Sequence, residues 1–352
     1  MPHPRTATDA AQTDLLCPNC AGQCRFSPAD GGLACLSCGQ VQVIEIDPDV
    51  DPAEEFHYHP DLPHTEQPMH TGDVLHECQT CKGQVVFTGS ALSERCAYCD
   101  GPVVLGDRDV SYQTVGMIPF HLTEDDAAPR IADWIATRRA APGDLAQAVA
   151  KGRVAGIYVP FWTFDTREAI DYMVKYRVKR GKNWVNRSMS GAMKLAFDDL
   201  LMPASPHVTP LIRDGILHDF DPGELRPYTP AFLAGFAAER HYETVHQGFE
   251  ANADDRDVLI RNRIRGHSGK RNITYVGYKT HTTGIRYRRI LLPVWILHYT
   301  YGEKQMKVVT CGLHGRTFGE RPFSTAKLLG YAGALAGAAI LIGLTYGATG
   351  MP

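Results

Sequence analysis

The chain has 352 residues, 44% of them hydrophobic and 21% charged, which is an ordinary globular mixture with room for two or three domains. Its net charge of −3 conceals an asymmetry: residues 1–110 hold 5 Lys/Arg against 17 Asp/Glu, and the rest hold 31 against 22. An acidic front is therefore joined to a basic body, and a polyanion-binding role for the front is disfavoured.

Residues 1–14 lack the apolar core of a signal peptide and read as a disordered leader, so nothing there directs export. Eight of the ten cysteines then fall into four CxxC pairs: Cys17 and Cys20, Cys35 and Cys38, Cys78 and Cys81, Cys96 and Cys99. In both halves fourteen residues separate the inner cysteines, and a shift of sixty-one positions also superposes Gly22 on Gly83, Gln23 on Gln84, Phe26 on Phe87 and Val43 on Val104. This is an internal duplication. Four thiolates on two short turns suit a tetrahedral Zn2+, so the pattern predicts two zinc ribbons, at 15–44 and 76–106, each with one structural Zn2+ and no open coordination position. Redox-active pairs are the alternative, and the repeated spacing without a βαβ context favours metal in a reducing compartment. Cys24 and Cys311 lie outside the pattern and read as partly buried free thiols. The ribbons carry no cluster of Lys and Arg, only Arg25, Lys82 and Arg95, so they suit a protein partner better than phosphate.

Between the ribbons, residues 45–75 form an acidic, proline-broken linker read as a flexible connection. His57, His59, His64, His70 and His76 in and beside it read as solvated. From 107 to 325 the pattern becomes that of a folded α+β body around an antiparallel sheet. Thr123 is placed to cap a helix with the stripe Ile131, Trp134 and Ile135, and Gly143–Lys151 suits a second helix. Val154–Asp165 reads as a buried strand broken by Pro160, and Ala169–Arg180 alternates as a half-exposed strand, with a return strand after RGKN. A helical stretch is expected over Ala231–Arg265, interrupted near Asn252, then strands at Asn272–Thr280, Ile285–Tyr301 and Gln305–Thr310. Residues 326–348 are long and apolar enough for one transmembrane helix, and Leu328–Pro352 contains no charged side chain. Gly333 and Gly337 make a GxxxG face suited to homo-oligomerisation.

With these segments in view, the chain resembles a bacterial family of zinc-ribbon, C-terminally membrane-anchored proteins labelled primosomal protein N' (replication factor Y)-like, helicase-like or TFIIB-type zinc-ribbon. The carrying residues are Met117–Ala127 (MIPFHLTEDDA), Gly156–Asp165, Asp199–Ser205, Leu225–Tyr242, Ile290–Tyr301 and Gly319–Leu328. The chain departs from the family at Cys311–Gly315, CGLHG in place of NGQTG. The resemblance implies a membrane partner of phage-shock-type envelope-stress proteins.

No P-loop supports a helicase motor: GHSGKR at Gly266–Arg271 has the wrong glycine spacing and no hydroxyl after Lys270. Glu239, His241, Glu243 and His246 read as a polar helix face, and no catalytic site is expected. Three basic groups stand out, around Lys175–Arg187, Arg261–Arg271 and Arg286–Arg289, suited to anionic lipid or, less well, to nucleic acid. Arg316, Arg321 and Lys327 before the anchor place the body in the cytoplasm. The expected function is a non-catalytic, membrane-tethered adaptor that recruits protein partners at the cytoplasmic membrane; the alternative is a nucleic-acid-binding accessory factor.

Overall fold

The computed structural model describes residues 15–60, 66–70, 75–88, 95–106, 110–209, 211–213 and 220–348. The predicted leader and His64 lie outside them. The architecture is α+β. Near the N-terminus β1 (Cys24–Ser27), β2 (Gly32–Cys35) and β3 (Val41–Gln42) form a small antiparallel sheet. Then come β4 (Phe56–Tyr58), β5 (Met69–His70), β6 (Leu75–Cys78), β7 (Gln84–Phe87) and β8 (Val103–Leu105), with β6 between β7 and β8. β9 (Val110–Ser111) pairs with β5, and β10 (Gly116–Met117) enters the large sheet.

α1 (Glu124–Ala136) begins where the sequence predicts. The Thr123 hydroxyl accepts from the Asp126 amide at 3.1 Å while the Asp126 carboxylate accepts from the Thr123 amide at 2.9 Å. Its Ile131 and Trp134 are buried with residues of α2 (Leu145–Ala150) against the large sheet. Beyond α2 the two expected strands are one, β11 (Arg153–Arg180), and the return strand β12 extends over Asn183–Pro203. The gap read between them is a bulge at Asp165–Arg167, across which pairing continues. Pro160 does not break β11. Its carbonyl accepts from the Ala204 amide at 3.1 Å, so the missing N–H faces the side where the neighbouring strand changes and no ladder bond is lost.

The expected helix over Ala231–Arg265 is corrected to β13 (Arg226–Pro227) before it, α3 (Pro230–Leu233), β14 (Ala237–Ala238), α4 (Val245–Ala251) and α5 (Ala253–Ser268). The break near Asn252 stands, but Ala231–Tyr242 is largely extended. Gly235 sets φ at 90° and lies so close to Arg25 that a Cβ would sit 2.3 Å from its Cγ, which no other residue accommodates. GHSGKR ends α5 with Gly269 left-handed, so it offers helix carbonyls rather than the amide cradle of a P-loop. The last strands are β15 (Ile273–Tyr301), β16 (Lys304–Cys311) and β17 (Thr317–Gly319), followed by α6 (Thr325–Ala348).

β11 and β15 pair antiparallel along nearly their whole length and carry the other strands of the large sheet on both flanks. The sheet is mixed rather than purely antiparallel, because β10 runs parallel to β15 and β14 parallel to β11. Both faces of this spine are covered near its β11 start. Ile157, Val159 and Phe161 pack with Val294 and Ile296 on one face, and Tyr158 and Trp295 on the other with Phe120 and Phe236. Phe120 stacks on Phe236 at 4.4 Å and meets Trp295 at 4.7 Å. A Cβ on Gly156 would lie 2.6 Å from the Phe236 ring, so this aromatic junction needs glycine there. Further along, α5 covers Ile170, Tyr172 and Val174 with Ile260 and Ile264.

The segment read as a flexible linker is, where described, a strap seated on the body. β4 pairs with Ile285–Tyr287 of β15. Glu55 meets Arg286 at 2.8 Å and Arg288 at 2.9 Å, and Glu66 meets Arg289 at 2.7 Å. The Glu66 carboxylate also accepts from the Tyr287 hydroxyl and the Val245 amide. Arg288 is 4% exposed, so its charge depends on Glu55 and Asp199 for compensation. We expect slow hydrogen exchange at the Phe56–Tyr58 amides in the wild type and fast exchange in Arg286→Ala/Arg288→Ala. Unprotected amides in the wild type would return the segment to a free linker.

Candidate metal centres

All four Cys pairs sit on the same turn. The Cys17 amide donates to Gly22 O at 2.8 Å and the Ala21 amide returns to Cys17 O at 2.8 Å; the turns at Cys35, Cys78 and Cys96 repeat both bonds. The residue after each second cysteine is left-handed, with φ 55° at Ala21, 73° at Gly39, 63° at Lys82 and 61° at Asp100. In three of the turns the amide two residues after the first cysteine also points at its sulfur. Ser37 donates to Cys35 Sγ at 3.4 Å, Thr80 to Cys78 Sγ at 3.4 Å and Tyr98 to Cys96 Sγ at 3.3 Å. Donors aimed at sulfur favour thiolate, and the Cys38 and Ser37 amides hold the Cys35 thiol well below its usual range, while the neighbouring Cys35 and Cys38 sulfurs push Cys20 up and burial pushes Cys99 up.

The turns close on each other in pairs. Sγ to Sγ separations are 3.6 Å for Cys17–Cys38, 3.5 Å for Cys20–Cys35, 3.5 Å for Cys78–Cys99 and 3.8 Å for Cys81–Cys96. Within each set all four sulfurs lie within 4.8 Å of one another. A tetrahedron with metal–sulfur bonds of ~2.3 Å has edges of about 3.8 Å. Both four-cysteine groups therefore fit a tetrahedral metal ion such as zinc, and all eight predicted ligands are brought together as the spacing requires. A third group, Glu55, Asp165 and Asp199, also converges, but Arg286 and Arg288 lie among its carboxylates and supply the compensating charge.

The two four-cysteine groups differ in exposure. In the first, Cys20 and Cys38 are exposed, and the unit docks through Phe26, which meets Phe232 at 5.4 Å, and through Arg25 over the Phe236 ring. In the second, Cys78 and Cys96 are fully buried within the main core. His298 Nε2 donates to Ala97 O at 2.8 Å and Arg153 reaches Asp100 at 2.6 Å. The His207 ring packs against Tyr98, with centroids 5.6 Å apart. The second unit is thus part of the body's interior. Cys24 and Cys311 are fully rather than partly buried.

Sequence reasoning missed the polar contacts behind the second unit. The Tyr98 hydroxyl, one residue before Cys99, donates to Glu239 at 2.5 Å, Ser205 donates to the other carboxylate oxygen at 2.8 Å, and the His207 amide donates to Ser205 Oγ at 3.0 Å. Glu239 lies in an extended segment beside β14, where its amide bonds Tyr158 O, and its carboxyl is pushed up to about 8 by burial. The supposed helix face dissolves. His241 is buried separately, donating from Nε2 to Phe161 O with Thr114 on Nδ1, and burial lowers its pKa to about 3. His246 contacts the Tyr58 hydroxyl. Of the linker histidines, His57 lies on β4 and His76 packs edge-on to Phe87; the His70 side chain is outside the described residues.

α6 is one helix long and apolar enough to span a membrane: Thr325–Thr345 has a mean hydropathy of 1.9 and none of it is buried against the protein. No family model matches the chain and no solved structure matches it. It is 23% identical over 338 residues to the uncharacterized protein YdjG of Bacillus subtilis strain 168, an alignment that covers 92% of this chain and 94% of that protein.

Metal analysis tests the paired sites. Two equivalents of zinc are expected in the wild type and one in Cys17→Ser/Cys20→Ser. Cys78→Ser/Cys81→Ser also keeps one but melts earlier, by a stability loss of about 3 kcal/mol or more because its site is in the core. Glu239 predicts a pH dependence. Its folded-state pKa of about 8 lies above the reference 4.5, so its stabilisation is complete below pH 4.5 and is lost as pH rises to about 8. Thermal melts across this window should show wild type losing stability relative to Glu239→Gln, with parallel curves refuting a neutral buried carboxyl.

Proposed function

We propose that the chain is a non-catalytic, membrane-tethered zinc-ribbon adaptor that recruits a protein partner at the cytoplasmic face. The observation that carries this reading is the pairing of two four-cysteine tetrahedra, each with every coordination position supplied by protein, with an apolar helix left uncovered by the rest of the chain. A metal so enclosed organises the chain and has no position for substrate. The start of α6 is pinned to the α1–α2 loop: the Ser324 amide donates to Ala140 O at 2.9 Å, Lys327 Nζ to Ala141 O at 2.8 Å and the Tyr331 hydroxyl to Arg139 O at 3.2 Å. Arg139, Arg321 and Lys327 then lie on the membrane-proximal side, consistent with a cytoplasmic body.

The first unit is the better recruiting surface, because the second is wedged into the core. Leu36 in the CLSC turn is 61% exposed and Val43 90%, with Leu16 and Val41 also exposed. The Leu16–Gln23 bridge and the Leu36 amide bond to Gln23 O bring Leu16 and Leu36 to one edge. An apolar rim on a metal-rigidified scaffold fits protein contact. Affinity capture from membranes with wild type and Leu36→Asp/Val43→Asp tests this. The variant should keep both metals and lose its partners by at least about tenfold; recovery of the same partners would remove the first unit as the recruiting surface.

A further inference from the structure

The three basic groups of the sequence have separate fates. Arg286, Arg288 and Arg289 are consumed by the acidic strap. In the second group Arg261 pairs with Asp257 at 2.6 Å and Arg265 bonds the Asn262 side chain. What remains is a tip formed by the β11–β12 turn and the turn between α5 and β15. It carries Lys175, Arg177, Lys179, Arg180, Lys182, Arg187, Lys270 and Arg271, while residues 172–197 and 258–302 contain no Asp or Glu. Among the described residues none of these eight cations has an ion-pair partner.

The tip is also apolar where a solvated end would be polar. α5 stops at Gly269, and the stripe Ile170, Tyr172 and Val174 beneath it continues through the half-buried Tyr176 to the exposed Val178. Val178 lies opposite Val185 and Lys179 opposite Trp184. Trp184 is 53% exposed, Val178 41% and Val185 38%. Arg177 lies 5.7 Å from the Trp184 ring and Lys270 5.5 Å from that of Tyr176. A cleft of 610 Å³ opens between the two turns, lined by Tyr176, Arg180, Trp184, Arg187, Lys270 and Arg271.

Position matters as well. α6 is pinned beside the Arg153 end of β11, where Arg153 pairs with His298, and the tip is at the other end of this 28-residue strand. At ~3.3 Å per residue the contour between them is on the order of 90 Å. We propose that the β11–β12 tip is a second membrane contact, docking on an anionic bilayer surface at a distance from α6. This rests on the reading of α6 as a membrane anchor. Phosphate headgroups meet the cations and the cleft, and Trp184, Val178 and Val185 enter the interfacial layer. A nucleic acid would satisfy the charges and stack on Trp184, but it has no apolar phase for the two valines.

The chain supplies its own probe, since Trp134, Trp162 and Trp295 are at most 9% exposed and Trp184 is open. The full chain is reconstituted into phosphatidylcholine vesicles with and without phosphatidylglycerol. With phosphatidylglycerol, acrylamide quenching of Trp184 should fall by about twofold or more and brominated lipid should begin to quench it. Trp184→Phe should abolish both changes, and Lys179→Glu/Arg180→Glu/Lys182→Glu should abolish them while still floating with the vesicles. Equal acrylamide quenching in both vesicles overturns the proposal, as does protection by an oligonucleotide without protection by phosphatidylglycerol. Failure to float with phosphatidylcholine instead refutes the anchor, and added phosphatidylglycerol vesicles then still decide the tip by the same Trp184 signal.

Discussion

The pairing of β11 with β15 is the constraint on which the other parts depend. Strands of 28 and 29 residues are far longer than the usual five or six, and a ribbon of two such strands is not stable unless its faces and edges are used. The long β12 and the short β14 flank β11, and the shorter β4, β10 and β16 settle beside β15. Pro160 and Pro293 sit where such neighbours change or end. The Pro293 carbonyl accepts from the Gly312 amide at 3.0 Å, just past the last paired residue of β16, so its missing hydrogen costs no bond. Proline thus marks where one neighbour stops.

The four-cysteine units are components of this arrangement rather than attachments to it. β7 joins the large sheet through β14, and Cys78, Cys96 and Tyr98 fill the same core as Ile157 and Val294. Metal binding at such a site would contribute to the stability of the whole body, because the four thiolates converge only in the folded chain and the binding free energy is then folding free energy. The first unit is joined by aromatic contact and one backbone bond, Phe26 to Ala234 at 2.9 Å, and leaves two of its cysteines at the surface. The two units thus share one kind of turn and differ in how deeply they are buried.

Local features are legible in the sequence and long-range ones are not. The eight cysteines, the Thr123 cap and the apolar terminal helix depend on spacing over a few residues, and the structure places them as read. Of the helix expected over Ala231–Arg265, the first part is cut to the single turn Pro230–Leu233, because the apolar residues after it are recruited singly: Phe236 by the aromatic junction with Phe120 and Trp295, Ala237 and Ala238 by the gap between β11 and β7. Tertiary pairing overrides helix propensity there. Glu239 reads as a surface residue because its partners, Tyr98 and Ser205, are distant in the chain. The same holds for the strap, whose Glu55 and Glu66 find arginines more than two hundred residues away.

The charge asymmetry has a physical resolution in these contacts. The acidic front and the basic body are complementary halves of one fold, since Glu55 and Glu66 lie on Arg286, Arg288 and Arg289, and Asp100 on Arg153. A further turn supports separating backbone from metal. Cys311 and Gly315 repeat the bonds of the four Cys turns, Cys311 to Arg316 O at 2.8 Å and Gly315 to Cys311 O at 3.0 Å, with φ 73° at Gly315, though His314 stands where the second cysteine would be. It carries no convergent set of four ligands among the described residues, so the backbone turn needs no metal to form. A metal ion bound at the second four-cysteine group would tie one turn to the other, at the site where Tyr98 meets Glu239 and the second unit enters the core.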